Sequence, residues 1–88
     1  MNALYEIKAV YDNEGKTFDR YTIYTTYQFT RRNDDGMYEC LGLSENPTHP
    51  QGFSQFSSGM LGKHNGIEIN FSDLPIDIQE HAIMRLTT

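Results

Sequence analysis

Residues 21–30 read YTIYTTYQFT, a run in which every residue but Gln28 is β-branched or aromatic. Such side chains fit a pleated, half-buried surface better than a helix, where they lose rotamer freedom. The period is two: Tyr21, Ile23, Thr25, Tyr27 and Phe29 fall on one side. That spacing predicts a strand with one face against a core.

Working outward, residues 4–11 alternate as well, with Tyr5, Ile7, Ala9 and Tyr11 on one side and Glu6 and Lys8 on the other. The intervening Asp12-Asn13-Glu14-Gly15-Lys16 is turn chemistry, so the two runs read as a β-hairpin. Residues 31–36, Arg-Arg-Asn-Asp-Asp-Gly, make a second turn, and residues 37–43 (MYECLGL) a third strand. After His64-Asn65-Gly66, residues 67–71 (IEINF) alternate again, with Ile67, Ile69 and Phe71 expected inward. Ser72-Asp73-Leu74-Pro75 then opens a helix, with Ser72 or Asp73 as its cap and Pro75 at its first helical position. On that helix Ile78, Ala82 and Leu86 are four apart and form the expected buried stripe. Strands followed by a helix favour an α+β fold: a small antiparallel sheet of three to four strands with the C-terminal helix packed on one face, in a single domain over 1–88.

Between these elements, residues 44–62 (SENPTHPQGFSQFSSGMLG) hold two prolines, three glycines and four serines. A loop of more than about a dozen residues is uncommon in a compact domain and is usually functional or disordered. Phe53 and Phe56 argue for order, because a solvated linker gains nothing from aromatics. The segment therefore reads as an ordered, exposed loop placed for recognition.

Seven basic residues against twelve acidic ones give the 88-residue chain a net charge of −5. The imbalance lies in residues 33–88, where Lys63 and Arg85 face eight carboxylates. An acidic surface suits a basic partner and weighs against a phosphate backbone as direct ligand. One cysteine, Cys40, cannot make an internal disulfide, and no stretch resembles a signal segment or a membrane span, which points to a cytoplasmic setting.

Candidate chemistry is sparse. Cys40, His49, His64 and His81 stand nine, fifteen and seventeen positions apart, whereas structural zinc sites close tight chelates from pairs two to five apart. Neither a metal nor a cofactor is expected. Cys40 in a strand reads as a packed thiol, His49 and His64 as loop and turn residues, and His81 as an exposed helix residue. No nucleophile, base and oxyanion donor are marked together, so no catalytic residue is assigned and a small hydrolase ranks last. The six tyrosines, interleaved with Arg20, Arg31 and Arg32, suggest an alternative: a stacking platform for single-stranded nucleic acid.

Several short stretches, Phe18-Asp19-Arg20-Tyr21-Thr22, Leu41-Gly42-Leu43-Ser44-Glu45-Asn46-Pro47, His49-Pro50-Gln51-Gly52-Phe53-Ser54-Gln55, Leu61-Gly62-Lys63 and Asp73-Leu74-Pro75, resemble those of short reading frames of bacteriophages and other mobile elements. The resemblance spans most of the chain and brings no activity with it. It implies a setting: a small protein in the host cytoplasm, of a class that often occupies the surface of a host protein, including defence nucleases. The expected function is thus non-enzymatic protein binding, of the kind found in phage inhibitors of host defence such as anti-CRISPR or anti-restriction proteins. The expected partner contacts are Phe53, Phe56, Gln51 and Gln55 of the loop, Glu45 at its start, and Asp34 and Asp35 of the acidic turn.

Overall fold

The alternation in residues 21–30 produces a strand, but one with apolar residues on both faces. In the computed structural model, which describes residues 6–28 and 37–87, Tyr21 and Ile23 are buried on one face and Tyr24 on the other. This strand, β2 (Tyr21–Gln28), is the centre of an antiparallel five-stranded sheet. The others are β1 (Ile7–Asp12), β3 (Met37–Leu43), β4 (Ser54–Met60) and β5 (Ile67–Ile69), in the spatial order β4-β3-β2-β1-β5. A single helix, α1 (Ile76–Leu86), follows. The α+β class holds, with five strands where three to four were expected.

The additional strand is β4, which lies inside the stretch read as loop. It pairs in unbroken register with β3, from Met37 opposite Met60 to Leu43 opposite Ser54. Its sequence, SQFSSGM, hides the strand because Phe56 is its single residue in contact with the core beneath the helix. An edge strand needs just one such contact, since its other neighbours are solvent and backbone. The true loop shrinks to residues 44–53.

A second departure concerns β1. The register slips between Ile7, opposite Thr25, and Ala9, opposite Tyr24, so the strand carries one extra residue. A bulge of this kind switches the faces of everything beyond it. Ile7 and Val10 therefore pack toward the helix, while Ala9 and Tyr11 turn to the far face. Ile7, Ala9 and Tyr11 do not share a side as the simple alternation had it. Ile67, expected inward, is 55% exposed on the short edge strand β5, whereas Ile69 and Phe71 do pack on the core.

The helix buries the expected stripe, Ile78, Ala82 and Leu86, against Val10, Ile23, Leu41 and Leu43. Its cap differs from expectation. Pro75 occupies the N-cap position with no side-chain bond, and Asp73 instead accepts the Asn70 N–H at 2.9 Å in the preceding turn. Gln79 secures the entry by donating to the Leu74 carbonyl at 2.8 Å.

This packing makes a direct prediction. Truncating Ile78 to Ala should cost about 2–4 kcal/mol, because the rigid sheet below cannot collapse into the space. Ile76→Ala, on the exposed side of the same helix, should stay within about 0.5 kcal/mol of wild type. Urea midpoints of the two variants measure the difference, and equal losses would contradict the assigned face.

Candidate functional site

Two polar segments meet at one end of the sheet. The first is the connection between β1 and β2, closed at its base by the Asn13 N–H on the Arg20 carbonyl at 3.0 Å. Asn13 organises it. Its Oδ1 accepts the N–H groups of Gly15 (2.9 Å) and Lys16 (3.1 Å), and its Nδ2 donates to Thr17 Oγ1 at 2.6 Å. Such side-chain bonds substitute for a regular ladder and hold the backbone of Glu14 and Gly15 at φ values of 61° and 83°.

The second segment is loop 44–53. Ser44 and Phe53 close it with a reciprocal pair of 2.9 Å bonds: the Ser44 N–H donates to the Phe53 carbonyl, and the Phe53 N–H donates to Ser44 Oγ. Within it, the His49 N–H reaches the Asn46 carbonyl at 3.1 Å and the Gly52 N–H reaches the His49 carbonyl at 2.7 Å. Gly52 sits where a Cβ would lie 2.1 Å from the Asn46 carbonyl oxygen, so close approach of backbone to backbone demands glycine there. The loop is folded onto itself.

Arg20 links the two segments. Its Nε and Nη2 bind both carboxylate oxygens of Asp12 at 2.8 and 3.1 Å, and its Nη1 lies 3.4 Å from Glu45 Oε1. The guanidinium also sits over the Tyr21 ring, 5.3 Å from its centroid. This fork holds the Asp12 carboxyl below the usual carboxylate range, helped by the Glu14 N–H at 2.7 Å and opposed by partial burial.

Between the segments runs an open groove of about 650 Å³, lined by Lys16, Phe18, Glu45, Asn46, His49 and Gln51 among others. Phe18 is 66% exposed, the second most exposed large apolar side chain among the described residues after Ile76. An aromatic ring held in water beside a concave, hydrogen-bonded wall has the make-up of an anchor.

The residues expected to carry partner contact divide into groups. Glu45 and Gln51 line the groove together. Phe53 lies at the loop base, half-buried across Gly42 of β3. Phe56 packs on the helix-side core with the Arg85 guanidinium 5.0 Å from its ring centroid. Gln55 is exposed on β4, opposite Gly42. Asp34 and Asp35 lie outside the described residues. The sequence reading passed over Phe18 and Lys16. The available signal was an aromatic alone in the polar run from Asp12 to Asp19, where no periodicity assigned it to a core.

Other candidate chemistry is structural in form. His81 is half-buried rather than exposed: its Nε2 lies 2.9 Å from Ser54 Oγ, which also accepts from Arg85 Nη1 at 2.6 Å. Burial and the neighbouring Arg85 lower the imidazole pKa. No partner orients the buried Nδ1, so the pair lacks the third member of a nucleophile–base–orienter set and serves to fasten the helix to β4. Of the tyrosines, Tyr11, Tyr21 and Tyr24 are buried, with no open ring face for a base to stack on. Cys40 is a buried thiol whose pKa is raised by burial. Among the described residues no three of His, Cys, Asp or Glu converge as metal ligands, and no helix is long and apolar enough to cross a membrane. Comparison with protein-family models, curated proteins and solved structures gives no match.

The Asp12–Arg20 pair carries a pH signature. A carboxyl whose folded pKa is depressed contributes stability above its unfolded value, about 3.9, and loses it as pH falls through the folded value. Asp12→Asn should therefore lower the urea midpoint at neutral pH and flatten its decline on acidification below about pH 4. Parallel acid profiles for the two proteins would show that this pair does not hold the site together.

Proposed function

We propose that this chain is a non-enzymatic protein-binding module that receives its partner at the groove between residues 13–20 and loop 44–53. The observation that carries the reading is Phe18, exposed at the wall of a groove whose two sides are fixed by internal hydrogen bonds and joined through Arg20. A wall ordered before binding spares the entropy of ordering it afterwards, so an aromatic anchor there converts more of its contact into affinity. Lys16 and Glu45 place both charges at the rim, where they steer association and register. Among the described residues, nothing assembles a nucleophile, a base and an oxyanion site. The buried tyrosines weigh against stacking of nucleic acid.

The finer reading is that of a phage or mobile-element protein that inhibits a host protein by occupying its surface. It draws on the sequence resemblance described above and on the net charge of −5. A basic, nucleic-acid-binding face on the partner is the surface such charge complements.

Affinity capture from host lysate with the wild-type chain and Phe18→Ala tests the proposal. Wild type should retain one protein stoichiometrically, and Phe18→Ala should lose it with its melting temperature unchanged, since an exposed ring adds little to the fold. Equal retention by both would remove the groove from the interface. A nucleic acid bound with steep salt dependence would replace this reading with the stacking alternative.

A further inference from the structure

Beyond the groove, the outer edge of β4 has a hydrogen-bonding pattern that selects its own partner. The Ser44 N–H donates to the Phe53 carbonyl, so Phe53 turns its main-chain groups toward β3. The period of an antiparallel ladder carries Gln55, Ser57 and Gly59 with it and turns those of Ser54, Phe56, Ser58 and Met60 to the open side. Side chains occupy the carbonyls at both ends of that row. Ser54 accepts from Arg85 Nη1 at 3.0 Å, and Met60 accepts from Tyr24 Oη and Asn65 Nδ2, each at 3.0 Å. Among the described residues this leaves a central window, the N–H and C=O groups of Phe56 and Ser58, flanked by the N–H groups of Ser54 and Met60.

From this window we infer that β4 pairs with β4 of a second copy, antiparallel, about a two-fold axis at Ser57. Phe56 of each copy then faces Ser58 of the other, and the four main-chain hydrogen bonds use the unoccupied groups and no others. The occupied Ser54 and Met60 carbonyls then face each other outside the central ladder, whereas a shift to Phe56 opposite Phe56 would set the Ser58 N–H of each copy against an occupied Ser54 carbonyl. Edge strands are ordinarily guarded by charge, proline or shortness. The other edge, β5, is three residues long and carries Glu68. Strand β4 has seven residues, an unbroken register and no charged residue of its own; the Arg85 guanidinium binds at its Ser54 end, so antiparallel pairing sets the guanidiniums of the two copies at opposite ends of the seam.

Exposed apolar side chains agree with the same axis. Met60 is 53% exposed at one end of β4, and Met84 is 61% exposed on the helix flank next to Arg85, which binds Ser54 at the other end. Antiparallel pairing sets Ser54 of each copy opposite Met60 of the other, which brings the exposed Met60 to the seam.

Sedimentation velocity of the full chain, from micromolar to sub-millimolar concentration, reads the outcome. Wild type should pass from monomer to dimer with concentration. Ser58→Pro removes an outward N–H and no bond to β3, so it should remain monomeric with an unchanged melting temperature. Should that variant fail to fold, Ser57→Lys decides: the side chain is exposed, and two ammonium groups at the axis should abolish the dimer in low salt. A wild-type chain that is monomeric at every concentration overturns the inference, as does a dimer that persists in a folded Ser58→Pro or in Ser57→Lys.

Discussion

The far face of the sheet depends on one side chain, Tyr24. A single helix covers one side of five strands, and the opposite side needs its own cover. Tyr24 provides the centre of it. The ring is buried, meets Tyr11 edge-on at 5.8 Å between centroids, and packs with Ala9 and Cys40. Its hydroxyl, whose pKa burial pushes up to about 12, lies 3.0 Å from both the Met60 carbonyl and Asn65 Oδ1. A central strand is thereby tied to the end of an edge strand and to the turn after it. The constraint extends to Gly59, where a Cβ would stand 2.7 Å from the Tyr24 hydroxyl oxygen. Position 59 is small because Tyr24 is large.

The end of the sheet that carries the groove is built on different physics. It contains few apolar contacts and many short polar ones: Asn13 within its turn, Ser44 and Phe53 across the loop base, and Arg20 between them. Such an assembly holds its shape through geometry rather than burial, which leaves the apolar side chain of Phe18 exposed. The helix-side core below, with Ile23, Leu41, Leu43 and Ile78 fully buried, supplies the rigidity against which these polar bonds are positioned.

How much of this was legible in the chain follows from where each signal originates. The β1–β2 hairpin, the third strand and the stripe Ile78, Ala82 and Leu86 are marked by local signals, and the strands and the stripe form where these place them, although the alternation within β1 does not persist past the bulge. The β1 bulge is not local, because the slip at Ile7 to Ala9 is defined by partners on β2. Strand β4 was invisible for a related reason: its stability comes from pairing with β3, and one Phe in SQFSSGM gives no period to count. The site was half legible. Glu45 and Gln51 could be placed on a recognition loop, but the opposite wall arises from a turn 30 or so positions away in sequence, brought near by the sheet. Phe56 packs on the core, and its sequence setting could not show this, since an aromatic in a polar stretch marks an anchor or a core contact equally well.

Cys40 gives the far face an internal clock. Its thiol is buried, raised in pKa, and lies 3.4 Å from Ser57 Oγ beneath the β3–β4 ladder. A thiol reagent reaches it when the side chains packed over this face, Tyr38 and Leu61 among them, move apart, and the chain has no second cysteine to confuse the signal. The rate of its modification under native conditions is therefore a reading, at one sulfur atom, of how often the far face opens.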